Sequence, residues 1–328
     1  MTHSNNFMHH IFGHRSPDTD AIVSALVLAE YFRLQGVPSA SYRLGKMNGE
    51  STFLLNLVSA RPPIYLDPDQ PYDILHSGDI ICLTDHNETA QSINHLEDFT
   101  ISHVIDHHKI ALNTKTPAYI RIMPVGCTCT ILLDLFTEKR LPITAKTATL
   151  MLGAIISDTL NLQSPTTTDS DILAVDKLAK IAQIHRVDEF AERLFTAKSN
   201  LTHLSAQDIL LGDYKEFSFN EMSGTVKWGI AGIETMDSSY VFNRMDELTS
   251  QAALLKNTKN LDYLMIAVVD IRAKTSFIMA YDEAQNAIIR QAFDINDDGK
   301  LFTLKGIVSR KKQLVPTLAH YHQSFSKN

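Results

Sequence analysis

Three short apolar runs early in the chain each end in metal-ligating residue types, and this pattern constrains the fold more than any other feature. His10-Ile11-Phe12 leads into GHRSPDTD, residues 78–83 into Thr84-Asp85-His86-Asn87, and residues 101–105 into Asp106-His107-His108. Short apolar runs bounded by polar clusters read as buried strands. Between the first two lies AIVSALVLAEYFRLQ (residues 21–35), apolar at helical spacing and stopped by Gly36 and Pro38. Two more helices are expected near residues 128–139 and 145–156, the second running into Ser157-Asp158. Strands alternating with helices predict an α/β fold with a doubly wound parallel sheet. Its sites form beyond the carboxyl ends of the strands.

At 328 residues the chain is too long for one ordinary core and long enough for two. Residues 169–194 read as helical, and the polar stretch at 196–205 marks a boundary. The expected domains are 1–196 and 197–328. The second reads as a smaller mixed α/β domain, with strands near 225–233, 261–269 and 274–281 and a long helix between the first two. Three cysteines, Cys82, Cys127 and Cys129, make no disulfide framework. The start MTHSNNFMHHIFGH lacks a secretory pattern, and no apolar run reaches membrane-spanning length, so a cytoplasmic protein is expected. A formal net charge of −7 argues against a nucleic-acid or membrane partner, although a local cationic site remains compatible with an anionic substrate.

His14-Arg-Ser-Pro-Asp18-Thr-Asp20 places one imidazole and two carboxylates in seven residues right after a strand. Those donors suit hard and borderline cations, although Asp18 or Thr19 would equally cap the following helix. Asp85 stands alone at its strand end, where an aspartate is ordinarily a turn residue. In Asp106-His107-His108 consecutive side chains point apart, so one histidine suits an ion and the other a substrate, with Asp106 holding an imidazole tautomer. Asp158 ends an apolar helix, at the unfavourable end of the dipole, where a cation would compensate it. Ser309-Arg310-Lys311-Lys312-Gln313 is either a solvated basic face or a clamp for phosphate oxygens. Cys127-Thr-Cys129 reads as helix packing. The run Asp294-Ile-Asn296-Asp-Asp298-Gly299 reads as a turn, because a calcium loop would need Glu where Lys305 stands.

Taken together, GHRSPDTD, RLGKMNGE (residues 43–50), TDHNE, VIDHHK, PVGCTCT, SDTLNLQSPTTTD and SRKKQ resemble the family II, manganese-dependent inorganic pyrophosphatases of the DHH superfamily. The order matches along nearly the whole chain. The resemblance implies an N-terminal DHH domain, a DHHA2-like second domain and an active site in the cleft between them. It implies two Mn²⁺ per subunit, with Co²⁺ as an alternative and further Mg²⁺ or Mn²⁺ arriving with pyrophosphate. His14, Asp18 and Asp85 would hold one ion, and Asp20, Asp85, His107 and Asp158 the other. His108, Lys215, Arg310 and Lys311 would contact substrate. Asn161 stands where an apolar residue is more usual. A homodimer through the first domains is implied as well. The competing readings are another DHH phosphoesterase acting on short polyphosphate or nucleotides, and a non-catalytic sensor on the same scaffold.

Overall fold

The computed structural model describes residues 8–199, 201, 204–222, 224–279, 282–296, 299 and 301–324. The chain divides into two compact units, Met1–Ala197 and Lys198–Asn328.

The first unit opens with β1 (His9–Phe12), α1 (Thr19–Leu34), β2 (Ser39–Arg43), α2 (Gly49–Leu57) and β3 (Ile64–Tyr65). It continues through β4 (Ile80–Thr84), β5 (Thr100–Asp106) and β6 (Tyr119–Ile122). Helices α3 (Thr128–Glu138), α4 (Ala145–Asp158), α5 (Asp169–Ala182) and α6 (Val187–Lys198) follow. All its strand pairs are parallel, in the order β3-β2-β1-β4-β5-β6. The order reverses between β1 and β4, the topological switch point at which open α/β sheets bind ligands. Helix α1 packs on β1 and β2 and against α3 and α4. On the other face, Phe12, Leu83 and Ile101 pack with Leu66, Leu75, Leu96 and Phe99, which come from loops and a short 3-10 turn rather than from α-helices.

The expected parallel sheet is present, with more strands than the apolar runs announced. β2, β3 and β6 were not anticipated: each is short, and β3 and β6 are edge strands with exposed Ile64, Tyr65, Tyr119 and Ile120. The helical stretch expected over 169–194 is two helices. Gln183 ends α5 in the left-handed region, at φ 59°, and no glycine or proline marks the break.

The second unit contains α7 (Ala206–Gly212), β7 (Tyr214–Glu221), β8 (Gly224–Thr235), α8 (Ser238–Phe242) and α9 (Met245–Thr258). After these come β9 (Tyr263–Asp270), β10 (Thr275–Met279), α10 (Glu283–Ala292), β11 (Leu301–Lys305) and α11 (Val315–Ser324). The sheet order is β11-β10-β9-β8-β7; β8 and β9 are parallel and the other pairs antiparallel. Both faces are packed. Leu210, Leu248 and Ala252 lie over one, and Ile289, Leu314 and Leu318 join Trp228 on the other. The Trp228 indole N–H donates to His322 Nε2 at 2.9 Å, which satisfies its one polar atom in the core. β7 and β11 were missing from the expectation. Residues 280 and 281 of the strand expected over 274–281, residues 297 and 298 of the expected turn, residues 200, 202 and 203 of the expected boundary, and His3 lie outside the described residues.

Candidate metal centre

The carboxyl ends of β1, β4 and β5 bring His14, Asp85 and the Asp106-His107-His108 run together, and α1, α3 and α4 close in from one side. A Cβ at Gly13 would meet Ala21 Cβ at 2.6 Å, so glycine is what lets β1 end this close to α1. His14 is buried, with Nε2 3.4 Å from Asp18 Oδ2 and 3.4 Å from Asp85 Oδ2. Asp18 turns its other oxygen, Oδ1, to the backbone N–H of Ala21 at 2.9 Å and caps α1. Capping and facing the centre are therefore not alternatives, because each takes one oxygen.

Asp85 follows β4 with φ +57°, a left-handed backbone that few non-glycine residues adopt and that concentrates at functional sites. Its Oδ1 lies 3.3 Å from His107 Nε2, and His107 Nε2 lies 3.9 Å from Asp158 Oδ2. The His107 ring is oriented by a hydrogen bond from Nδ1 to the Val125 carbonyl at 3.0 Å. A carbonyl only accepts, so Nδ1 carries the proton and Nε2 faces the carboxylates with its lone pair. His108 is held differently. Its Nδ1 donates to Asp106 Oδ1 at 2.8 Å, and the two histidine rings stand at 90° to each other. Asp106 is thus the tautomer-fixing carboxylate of the second histidine. Its Oδ2 accepts in turn from the Asn87 amide at 2.6 Å.

Asp20, in the first turn of α1, is fully buried, and its carboxylate meets the start of α3, accepting from the backbone N–H of Thr128 at 2.7 Å and of Cys129 at 3.3 Å. Burial, and then the neighbouring Asp85 charge, push its carboxyl up to about 7. Asp85 goes the other way. Its burial is outweighed by the His107 and His14 imidazoles that face it, which hold it well below the usual carboxylate range. A buried acid titrating near neutrality beside a buried anion is an arrangement that a cation relieves.

The expected ligands fall into two groups, His14, Asp18 and Asp85, and Asp20, Asp85, His107 and Asp158; within each, the donor atoms lie within 4.8 Å of one another. Ions bound by N and O at roughly 2.0–2.2 Å have neighbouring ligand atoms about 3.0–3.5 Å apart. The His14 and Asp85 separations fall in that interval, so these residues fit a pair of divalent ions sharing Asp85. Imidazole mixed with carboxylate suits a transition metal better than Mg²⁺.

The segments behind the centre include residues that sequence reasoning missed. Asp171 is fully buried and accepts from Gly126 N–H at 2.8 Å, Thr130 Oγ1 at 2.6 Å, Thr168 N–H at 2.8 Å and Thr168 Oγ1 at 2.7 Å. It thereby fixes the turn whose Val125 carbonyl orients His107. The Thr168-x-x-Asp171 spacing signals a helix cap but gives no sign of the tie to Gly126. After Asp158 the chain turns through Leu160, Asn161 and Leu162, all at positive φ. Asn161, the unusual residue there, fastens that turn to α6 through Asp188 Oδ1 at 2.8 Å. Cys127 and Cys129 are buried at the start of α3, and burial pushes both thiols up.

The expected substrate residues of the second unit lie on two elements. Lys215 is on β7, partly buried, and Arg310 and Lys311 are on a π-helical turn, Arg310–Leu314. Such turns are rare and frequent at functional sites. Ser309 Oγ accepts from Lys312 N–H at 3.2 Å, and Gln313 Oε1 accepts from the N–H groups of Val308 and Ser309, both at 2.9 Å. Within SRKKQ, then, serine and glutamine stitch the turn, Lys311 and Lys312 are exposed, and Arg310 is partly buried. The Arg310 guanidinium donates to the Asp213 carbonyl and to Asp213 Oδ1, each at 2.7 Å.

Comparison with known proteins agrees along the chain. Residues 9–155 match the DHH family N-terminal domain and residues 192–321 the DHHA2 domain. A Deinococcus radiodurans protein assigned as a manganese-dependent inorganic pyrophosphatase is 40% identical, over 95% of this chain and 98% of its own length. A Bacillus licheniformis protein with the same assignment is 38% identical, over 94% and 96%. The crystal structure of a Methanococcus jannaschii protein assigned to the family II inorganic pyrophosphatases superposes with a TM-score of 0.83 at 33% identity, covering 96% of this chain and 100% of that one. An exopolyphosphatase-related protein of Bacteroides fragilis, at 13% identity and a TM-score of 0.51, shares the fold alone.

Proposed function

The chain belongs to the manganese-dependent, family II inorganic pyrophosphatases, and on that premise we propose that it hydrolyses diphosphate to two phosphates at a dinuclear centre. The observation that carries the dinuclear reading is Asp85, whose two oxygens face two different histidines. In this reading His14, Asp18 and Asp85 hold one Mn²⁺, and Asp20, Asp85, His107 and Asp158 hold the second, with Co²⁺ able to substitute.

Bound there, such ions would acidify water and draw charge from phosphate oxygens. The residues do the rest. The four aspartates balance the charge of two divalent ions, so a polyanionic substrate needs cations from elsewhere. Lys215, Arg310, Lys311 and protonated His108 supply them, together with Mg²⁺ or Mn²⁺ carried by the substrate. Asp106 keeps the proton on His108 Nδ1, which makes Nε2 the atom that holds or releases a proton at a phosphate oxygen. The Arg310 guanidinium, braced by Asp213, presents a fixed fork suited to phosphate.

The assay is phosphate release from pyrophosphate, triphosphate, p-nitrophenyl phosphate and a dinucleotide, after chelation and with Mn²⁺, Co²⁺ or Mg²⁺ restored. Pyrophosphate with Mn²⁺ is expected to be fastest by a wide margin. Faster turnover of the dinucleotide would assign the chain to nucleotide phosphoesters instead. The family resemblance also supports a cytoplasmic homodimer joined through the first unit. The three free, buried cysteines fit a reducing compartment, and sedimentation at several concentrations tests the dimer.

A further inference from the structure

Within RLGKMNGE, Glu50 has no part in the ligand set, yet its side chain is fully buried. It lies in the first turn of α2, which is anchored at both of its opening residues. Asn48 caps the helix through Ser51 N–H at 2.7 Å, and a Cβ on Gly49 would collide with the Ala197 carbonyl. From this frame Glu50 extends one oxygen, Oε2, to two hydroxyls. Thr19 Oγ1 donates to it at 2.8 Å and Ser157 Oγ at 2.6 Å. Thr19 stands between Asp18 and Asp20, and Ser157 directly precedes Asp158. Both hydroxyl-bearing residues are buried as well.

We propose that Glu50 is a positioning residue of the metal centre, its Oε2 clamping the start of α1 to the end of α4 and so setting the separation of Asp20 from Asp158. The inference rests on the metal assignment above. Burying a carboxyl group carries a desolvation cost that hydrogen bonds at best offset, so stability alone is a poor reason for this arrangement. What the arrangement does provide is register. The two segments it joins carry three of the four proposed aspartate ligands, and a coordination sphere tolerates only a few tenths of an ångström of error.

The test compares E50Q, E50L and S157A with the wild-type chain by Mn²⁺ binding (affinity and stoichiometry from the electron-spin signal of free Mn²⁺), metal-free thermal melting, and kcat and KM at saturating Mn²⁺. A glutamine oxygen accepts both hydroxyls, so E50Q is expected to hold its Mn²⁺ Kd within about threefold of wild type, whereas E50L weakens it roughly 10- to 100-fold, as loss of outer-sphere support does. KM for pyrophosphate is expected to stay unchanged in both. Should E50L fail to fold, S157A carries the test, with an expected loss of about threefold to tenfold from one missing bridge. A folded E50L, or in its place S157A, with wild-type Mn²⁺ affinity overturns the inference whatever its melting temperature. Equal losses in E50Q and E50L overturn it too, because charge rather than the paired hydrogen bonds would then be at work. A wild-type chain that binds no Mn²⁺ overturns the metal assignment itself, which separates that failure from this one.

Discussion

Asp85 divides its carboxylate between two histidines, with Oδ2 3.4 Å from His14 Nε2 and Oδ1 3.3 Å from His107 Nε2. No other side chain belongs to both donor groups described above. Replacement by asparagine keeps the left-handed backbone at this position, since asparagine tolerates it, but removes the anionic bridge. D85N is expected to lose both Mn²⁺ ions on gel filtration while remaining folded. Metal analysis against protein concentration checks this, and retention of two ions would remove Asp85 from the bridge.

Variants of Arg310 and Lys311 test the proposed substrate contacts apart from metal binding. R310A and K311A are expected to keep full metal content, because neither side chain ligates a cation. Loss of one charge-assisted contact to developing charge costs ~3 kcal/mol, on the order of a hundredfold in kcat. R310K is expected to resemble R310A, since a point charge cannot reproduce the fork held by Asp213. Near-normal turnover in all three would make SRKKQ a solvated basic face.

Gly126 tests the orientation of His107 without touching any proposed ligand. A Cβ there would lie 2.7 Å from Thr159 Cγ2 and 2.9 Å from Asp171 Oδ2. G126A is expected to lose about 1–3 kcal/mol of stability through overpacking. Displacement of the Val125 carbonyl from His107 Nδ1 is expected to weaken Mn²⁺ roughly tenfold or more. Urea unfolding and Mn²⁺ titration read the two effects separately. Lowered stability with unchanged Mn²⁺ affinity would show that the turn can shift without moving His107.

His103 lies on β5, with its ring against Phe32 and Tyr119. Burial, and secondarily His9, push its imidazole down to about 4. The folded chain therefore resists protonation at a pH where the unfolded chain, with an ordinary histidine value, takes up the proton. The stability this group contributes is fully present above about 6.5 and is lost as pH falls from there toward about 4. H103F keeps the ring packing and removes the titration. Its urea-derived stability is expected to fall less steeply than that of the wild type between pH 6.5 and 4.5, in metal-free protein. Parallel curves would mean that His103 is protonated as readily in the folded state as in the unfolded one.

The elements that frame the centre were legible because they carry local signals. Strands β1, β4 and β5 announce themselves as apolar runs ending in polar residues, and α1 and α4 by helical spacing. β7 was overlooked although Phe217 and Phe219 alternate with polar residues, because its exposed face gives it no continuous apolar run. The break between α5 and α6 left no trace, since a left-handed glutamine has no compositional signature.

For the centre, the sequence alone determined the chemistry on offer: which carboxylates and imidazoles stand at strand and helix ends, and in what order. Such residues are recognisable because a buried strand must end before polar groups can be solvated or bound to an ion. Tertiary structure decided how each group is used. Asp18 splits into a cap and a face toward His14, and Asp106 holds the imidazole of His108 rather than that of His107. Asp171 and Glu50, unremarkable in the sequence, bind segments that carry or support the candidate ligands. These assignments depend on which atom of a side chain meets which distant backbone, and that is set only when the sheet and helices close. Periodicity reports the face a residue shares, whereas a hydrogen bond across the fold is a property of two positions at once.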